Sequence, residues 1–169
     1  ILGYILHHKT LPGIPVTEAR PRSPVSEAFR TLRTNIQFAG AGNDEPLQTI
    51  LITSTNENEG KSTVIVNLAV VLAQMGKKVC LIDADLRRPS VHLLMNVMND
   101  TGLSQVFLQS NQESLLKNFV KPTRIENLSV LPSGTLPPNP SDLLGSHKMD
   151  LILQELKQHF EIILIDAPP

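Results

Sequence analysis

Three short stretches carry residue types that handle phosphate and divalent metal. The first is Gly60-Lys61-Ser62-Thr63, which follows Thr49-Ile50-Leu51-Ile52-Thr53-Ser54, a run with the length and β-branching of a buried strand, and opens a helical stretch predicted over 62–75. Where a strand ends and a helix begins, unpaired backbone N–H groups and the positive end of the helix dipole jointly favour a polyphosphate. In that arrangement Lys61 neutralises the β- and γ-phosphates, Ser62 offers its hydroxyl to Mg²⁺, and Thr63 hydrogen-bonds a nearer phosphate. The loop departs from GxxxxGK[ST], because Thr55 occupies the first glycine position. Asn58 is the best non-glycine candidate for a left-handed backbone there, and Glu57 and Glu59 bring negative charge near the phosphates.

The second stretch, Val79-Cys80-Leu81-Ile82-Asp83-Ala84-Asp85, places two carboxylates at i and i+2. If the strand continues they project to one side, at the carboxyl end where open α/β sheets bind ligands. Leu86-Arg87-Arg88-Pro89 follows at once, with positive charge for phosphate oxygens or for pairing with the two acids. The third stretch, Ile162-Ile163-Leu164-Ile165-Asp166, is again an apolar run ending in an acid, and Asp166 reads as a magnesium partner alongside Ser62, directly or through water. A single strand-end Asp is commonly a turn or cap residue, but three such ends in this order form a coherent nucleotide site.

The elements that must position these residues alternate between strand and helix, so a parallel, helix-covered α/β sheet is expected. Ser23-Pro24 reads as an N-cap with proline at the first helical position, followed by apolar residues Val25, Phe29, Leu32 and Ile36 at helical spacing. The stretch 62–75 is apolar almost all round, the pattern of a helix buried on more than one side. Further helices are expected near 89–95, 103–109, 113–119 and 149–159, one from near Pro140, and a strand over 128–132. Residues 1–22 have no sustained period and read as an extended arm or linker leading into a domain of residues 23–169.

The 169 residues hold 15 Lys+Arg against 16 Asp+Glu, a net charge of −1, which disfavours a protein that coats nucleic acid through a basic face. No stretch approaches the roughly 20 apolar residues of a membrane-spanning helix. The one cysteine, Cys80, sits in an apolar run and reads as a buried thiol in a reducing compartment. His7, His8, His92, His147 and His159 lack the spacing of a zinc site.

With these stretches in view, the sequence from Ser23 onward resembles the bacterial tyrosine kinases of capsule and exopolysaccharide export. They are P-loop ATPases related to the septum-site and chromosome-partition ATPases. Gly60-Lys61-Ser62-Thr63 looks like their Walker A motif, Leu81 to Pro89 like their distinctive second Walker motif, and Ile163-Leu164-Ile165-Asp166-Ala167-Pro168-Pro169 like their Walker B. Glu27-Ala28-Phe29-Arg30-Thr31-Leu32-Arg33 matches their ExxRxxR element, and 132–140 is similar to a further family segment.

The resemblance implies a P-loop fold and an ATP- and Mg²⁺-dependent protein tyrosine kinase that phosphorylates itself and regulates capsular or exopolysaccharide synthesis and export. It assigns nucleotide contacts to Asn58, Glu59, Gly60, Lys61, Ser62 and Thr63, metal to Ser62, Asp83 and Asp166, and catalysis to Lys61, Asp83, Asp85 and Asp166. Asp83 or Asp85 is the acceptor of the tyrosine proton. Glu27, Arg30 and Arg33 are implied in contacts within a homo-oligomeric ring. The implied partners are a transmembrane activator or polysaccharide co-polymerase segment and tyrosine-containing substrates, with no nucleic acid, at the cytoplasmic face of the cell membrane. Where the family usually shows Pro-Gly, this chain has Glu57-Asn58, and the chain ends at Walker B with Tyr4 as its single tyrosine. Strands expected after Walker B are missing, which predicts a domain incomplete at its C-terminus and an uncovered sheet edge. Two other readings keep the fold: a partition-type ATPase switch, or a catalytically weak nucleotide-binding subunit of an export complex.

Overall fold

A computed structural model of the chain describes residues 1–8, 12–42, 46–109 and 118–169. Five strands form one sheet: β1 (Thr49–Ile52), β2 (Val79–Asp83), β3 (Lys121–Pro122), β4 (Leu128–Leu131) and β5 (Ile162–Asp166), in the order β1-β5-β2-β4-β3. The first four in that order run parallel, as the alternation of strands and helices requires. The two-residue β3 pairs antiparallel with β4, a feature the sequence pattern did not signal because two residues carry no period.

The helices are α1 (Val16–Ala19), α2 (Pro24–Gly40), α3 (Lys61–Ala73), α4 (Val91–Met95), α5 (Leu103–Leu108), α6 (Pro140–Leu144) and α7 (His147–His159). Residues 113–117 of the helix expected over 113–119 lie outside the described residues. The expected N-cap is present, for the Ser23 hydroxyl accepts the Ser26 N–H at 3.2 Å with Pro24 at the first helical position.

Alternation along β2 and β5 divides the core between the two faces of the sheet. Val79, Leu81, Ile162 and Leu164 point to the face covered by α1 to α4, whereas Cys80, Ile82, Ile163 and Ile165 meet α5 and α7 on the other. Every residue from Ile65 to Ala73 is buried, so α3 is sandwiched between the sheet and the α1–α2 layer, as its all-round apolar sequence predicts. Burial pushes the Cys80 thiol up to about 12, which leaves it an inert core group.

Two expectations are corrected. The first strand reads as a buried one, yet β1 is an edge, ends at Ile52, and leaves Leu51 57% exposed. The first 22 residues are not extended throughout: Val16–Ala19 make a helical turn docked by the buried Asn67 of α3. Asn67 Oδ1 accepts the Thr17 N–H at 3.0 Å and the Thr17 hydroxyl at 2.8 Å, while its Nδ2 donates to the Thr63 carbonyl at 2.9 Å. Such long-range side-chain contacts have no local period and cannot be read from spacing. Among the described residues, no helix is long and apolar enough to cross a membrane.

Candidate active site at the carboxyl end of the sheet

The β1–α3 loop builds an anion cradle from backbone geometry. Asn58 takes the left-handed conformation expected of it, at φ 62°, and Gly60 follows at φ 86°. A β-carbon at Gly60 would meet nothing within 4 Å, so the glycine serves the turn and leaves open space in front of the helix. The end of α3 that starts at Lys61 has no side-chain cap and no acidic residue in its first turn. Its leading N–H groups therefore remain available for an anion, the opposite of α2, whose N-terminus Ser23 closes.

Register brings the acids to this cradle. Asp166 lies opposite both Asp83 of β2 and Ile52 of β1, and Asp85 follows two residues beyond the end of β2. The Lys61 ammonium sits 3.2 Å from Asp85 Oδ2 and 3.1 Å from Asp166 Oδ1. Burial opposes the lysine charge, but Asp166 and Asp85 outweigh it and hold the ammonium above its usual pKa. Asp166 is itself fully buried, and burial raises its carboxyl against the Ser62 hydroxyl and Lys61, which favour the charged form.

Asp83 and Asp85 separate into different roles. Asp83 is wholly buried; its Oδ2 accepts the Ser90 and Val91 N–H groups at 3.1 and 3.0 Å, so the carboxylate caps α4 from below. Burial, and then the neighbouring charge of Asp166, push its carboxyl up to about 7. Asp85 faces the cavity, with Oδ1 accepting the Arg87 and Arg88 N–H groups at 3.3 and 3.0 Å and Oδ2 turned to Lys61. The sequence left open whether Arg87 and Arg88 pair with these acids. Neither guanidinium does: Arg88 pairs with Glu57 across the cavity, and Arg87 donates to the Ser141 hydroxyl at 3.4 Å.

The resulting cavity of about 440 Å³ is lined by the whole run Glu57–Thr63, by Asp85, Arg87 and Arg88, and by Ser90, Leu93, Leu94, Pro168 and Pro169. Glu59 lines it without opposing an anion directly, since its carboxylate accepts the Thr55 N–H at 3.0 Å and Asn56 Nδ2 at 2.9 Å. The Asn56 side chain holds the Glu59 carboxyl below its usual pKa. Ser90, Leu93 and Leu94 are the lining residues that sequence reasoning missed. For Ser90 a signal existed, because an acid at a strand end followed by Pro-Ser at a helix start places a carboxylate near free N–H groups.

Magnesium fits the donor chemistry. Asp83 Oδ1 is buried with no hydrogen-bond donor, and together with the buried Asp166 carboxylate and the Ser62 hydroxyl it is a hard oxygen ligand. Among the described residues no cluster of three or more His, Cys, Asp or Glu is arranged to hold a metal alone. An ion here would take its remaining ligands from phosphate and water oxygens, as magnesium commonly does. Glu27, Arg30 and Arg33 are elsewhere, on α2. Glu27 and Arg30 pair with each other, Arg30 also donates to the Pro21 carbonyl at 2.6 Å, and Arg33 to the Val71 carbonyl at 3.5 Å.

A family model described as an AAA domain matches residues 47–169, which take in all three motifs. Tyrosine-protein kinase YwqD of Bacillus subtilis is 44% identical over 156 residues, covering 92% of this chain and 63% of the relative. The chain thus spans a little under two thirds of that relative's length. Among solved structures, the chimerical protein CapA2B2 superposes with a TM-score of 0.89 at 38% identity, over 100% of this chain and 70% of that one. The septum site-determining protein MinD of Pyrococcus horikoshii, complexed with Mg-ADP, matches with a TM-score of 0.59 at 30% identity, over 72% of this chain and 50% of that one. Motif order, mostly parallel sheet and overall superposition agree: the chain belongs to the AAA-domain family of P-loop proteins and, within it, to the bacterial tyrosine kinases.

Proposed function

We propose that this domain binds ATP with Mg²⁺ and transfers the γ-phosphoryl group to tyrosine hydroxyls, including those of its own complete chain. The observation that carries the reading is the Lys61 ammonium held between Asp85 and Asp166 directly behind an uncapped helix N-terminus. The loop amides and Lys61 hold the β- and γ-phosphates, Asn58 and Gly60 shape the turn, and Thr63 meets a nearer phosphate. Ser62 and Asp166 would hold magnesium, with Asp83 beneath them; when bound, the ion screens the charge of the phosphate oxygens.

In the transfer, the phenolic oxygen forms a bond to the γ-phosphorus as the bond to the β-phosphate oxygen breaks, which releases ADP. The phenolic proton passes to a carboxylate. Asp85 is the acceptor that the geometry favours, because it lines the cavity while Asp83 is enclosed beneath it. Asp83 acts through its neighbours by fixing the start of α4.

The likeness to YwqD and to the CapA2B2 chimera supports the kinase reading and, with it, regulation of capsular or exopolysaccharide synthesis and export at the inner face of the cell membrane. In this reading residues 1–22 link the domain 23–169 to a transmembrane activator or polysaccharide co-polymerase segment. Glu27, Arg30 and Arg33 face sister subunits of a ring. The likeness to MinD with Mg-ADP favours a second reading, a nucleotide-dependent switch without tyrosine transfer. The full-length protein incubated with γ-labelled ATP and Mg²⁺ separates them. Phosphotyrosine that disappears in Lys61→Met supports the kinase, whereas steady phosphate release without phosphotyrosine supports the switch and refutes the kinase.

A further inference from the structure

We propose that Glu57 is a built-in competitor for the Arg88 guanidinium, so that one loop carboxylate sets how tightly this site holds polyphosphate. The inference rests on reading the cavity as a nucleotide site and adds a residue that tunes its affinity. Glu57 and Glu59 lie two positions apart in the loop, but they are used differently. Glu59 turns back onto Thr55 and Asn56, so its charge is absorbed by the loop itself. Glu57 crosses the mouth of the cavity to a side chain 31 residues away and pairs with Arg88.

The anchoring of Arg88 makes it a phosphate ligand in waiting. Its backbone N–H is pinned to Asp85 Oδ1 at 3.0 Å, which fixes the base of the side chain at the cavity wall. The Arg88 side chain as a whole is 66% exposed and is free to turn its guanidinium from one anion to another. A guanidinium meets phosphate oxygens through parallel N–H donors, and a polyphosphate brings more negative charge than one carboxylate.

Lys61 is a different case. Its partner Asp166 is fully buried and does not line the cavity, so the ammonium can meet an incoming phosphate without giving that acid up. Glu57 stands instead on the cavity wall. For Arg88 to reach a phosphate, Glu57 must release it. An exposed ion pair of this kind contributes little to folding, and its competition is expected to weaken polyphosphate binding about two- to five-fold.

A double-mutant cycle tests this by titration calorimetry of wild type, Glu57→Gln, Arg88→Gln and the double variant. ATP with Mg²⁺ is the ligand and adenosine the phosphate-free control. Both side chains are exposed, so all four proteins should fold alike, which their melting curves will show. Glu57→Gln is expected to tighten ATP about two- to five-fold when Arg88 is present and less than about 1.5-fold when it is not, with adenosine affinity unchanged. Unchanged or weaker ATP binding in Glu57→Gln overturns the proposal. So does an equal gain with and without Arg88, which would mean that Glu57 merely repels the phosphates. If neither wild type nor Glu57→Gln binds ATP, the nucleotide reading fails and the proposal with it, whereas binding without a gain refutes the proposal alone.

Discussion

Replacing Asp83 by Asn should stabilise the nucleotide- and metal-free protein, and the gain should depend on pH in a specified direction. Asp83 is fully buried, one of its oxygens has no partner, and its carboxyl sits at about 7 instead of the usual 3.8. The folded protein therefore binds this proton more tightly than the unfolded chain does. Stability from this group is complete below the unfolded value and is lost as pH rises through the folded one, at about 1.4 kcal/mol per pH unit between them. Between pH 5 and pH 8 that amounts to about 3 kcal/mol in the wild type and to nothing in Asp83→Asn. Asn keeps an acceptor for the Ser90 and Val91 N–H groups and puts a donor beside the Asp166 carboxylate. Urea unfolding with a metal chelator present should then find Asp83→Asn more stable by about 2 to 3 kcal/mol at pH 8 and level with wild type near pH 5. Asp166, whose carboxyl is also raised by burial, adds a trend of the same sign to both proteins. Parallel stability curves, or a less stable variant at pH 8, would refute the account of Asp83 as a charge held against its own fold.

Lys61→Met removes the one ammonium shared by Asp85 and Asp166. It should abolish ATP binding in calorimetry and cost about 3 kcal/mol at pH 8 in urea unfolding, with a smaller cost at pH 5, where the Asp166 carboxyl, already raised by burial, takes up a proton more readily. Asn67→Ala strands the Thr17 N–H and hydroxyl in the core and frees the Thr63 carbonyl. A loss of about 2 to 4 kcal/mol is expected, with faster proteolysis of residues 12–20 as the local readout.

The site was legible in the sequence wherever a motif coincides with an element boundary. Lys61, Asp83, Asp85 and Asp166 each sit at a strand end or helix start, positions that hydrophobic runs mark well, and the parallel sheet brings those ends together. The left-handed Asn58 was legible for a related reason, since few side chains tolerate that backbone. What stayed hidden depends on distance in space. The Glu57–Arg88 pair, the α4 N–H groups on Asp83 and the grip of Asn67 on Thr17 join residues by direction of side chain, which composition and period do not encode. The status of β1 was misread because an edge strand with one covered face has the same apolar run as a central one.

The pairing of Asp83 with Asp166 on adjacent parallel strands makes this centre sensitive to residue count as well as to residue type. One amino acid inserted within Ile162–Asp166 would turn every later side chain to the opposite face of the sheet, bury an isoleucine where the acid belongs, and swing the carboxylate towards the α5–α7 side. The two strands can thus exchange one aliphatic residue for another far more readily than they can gain or lose a single position.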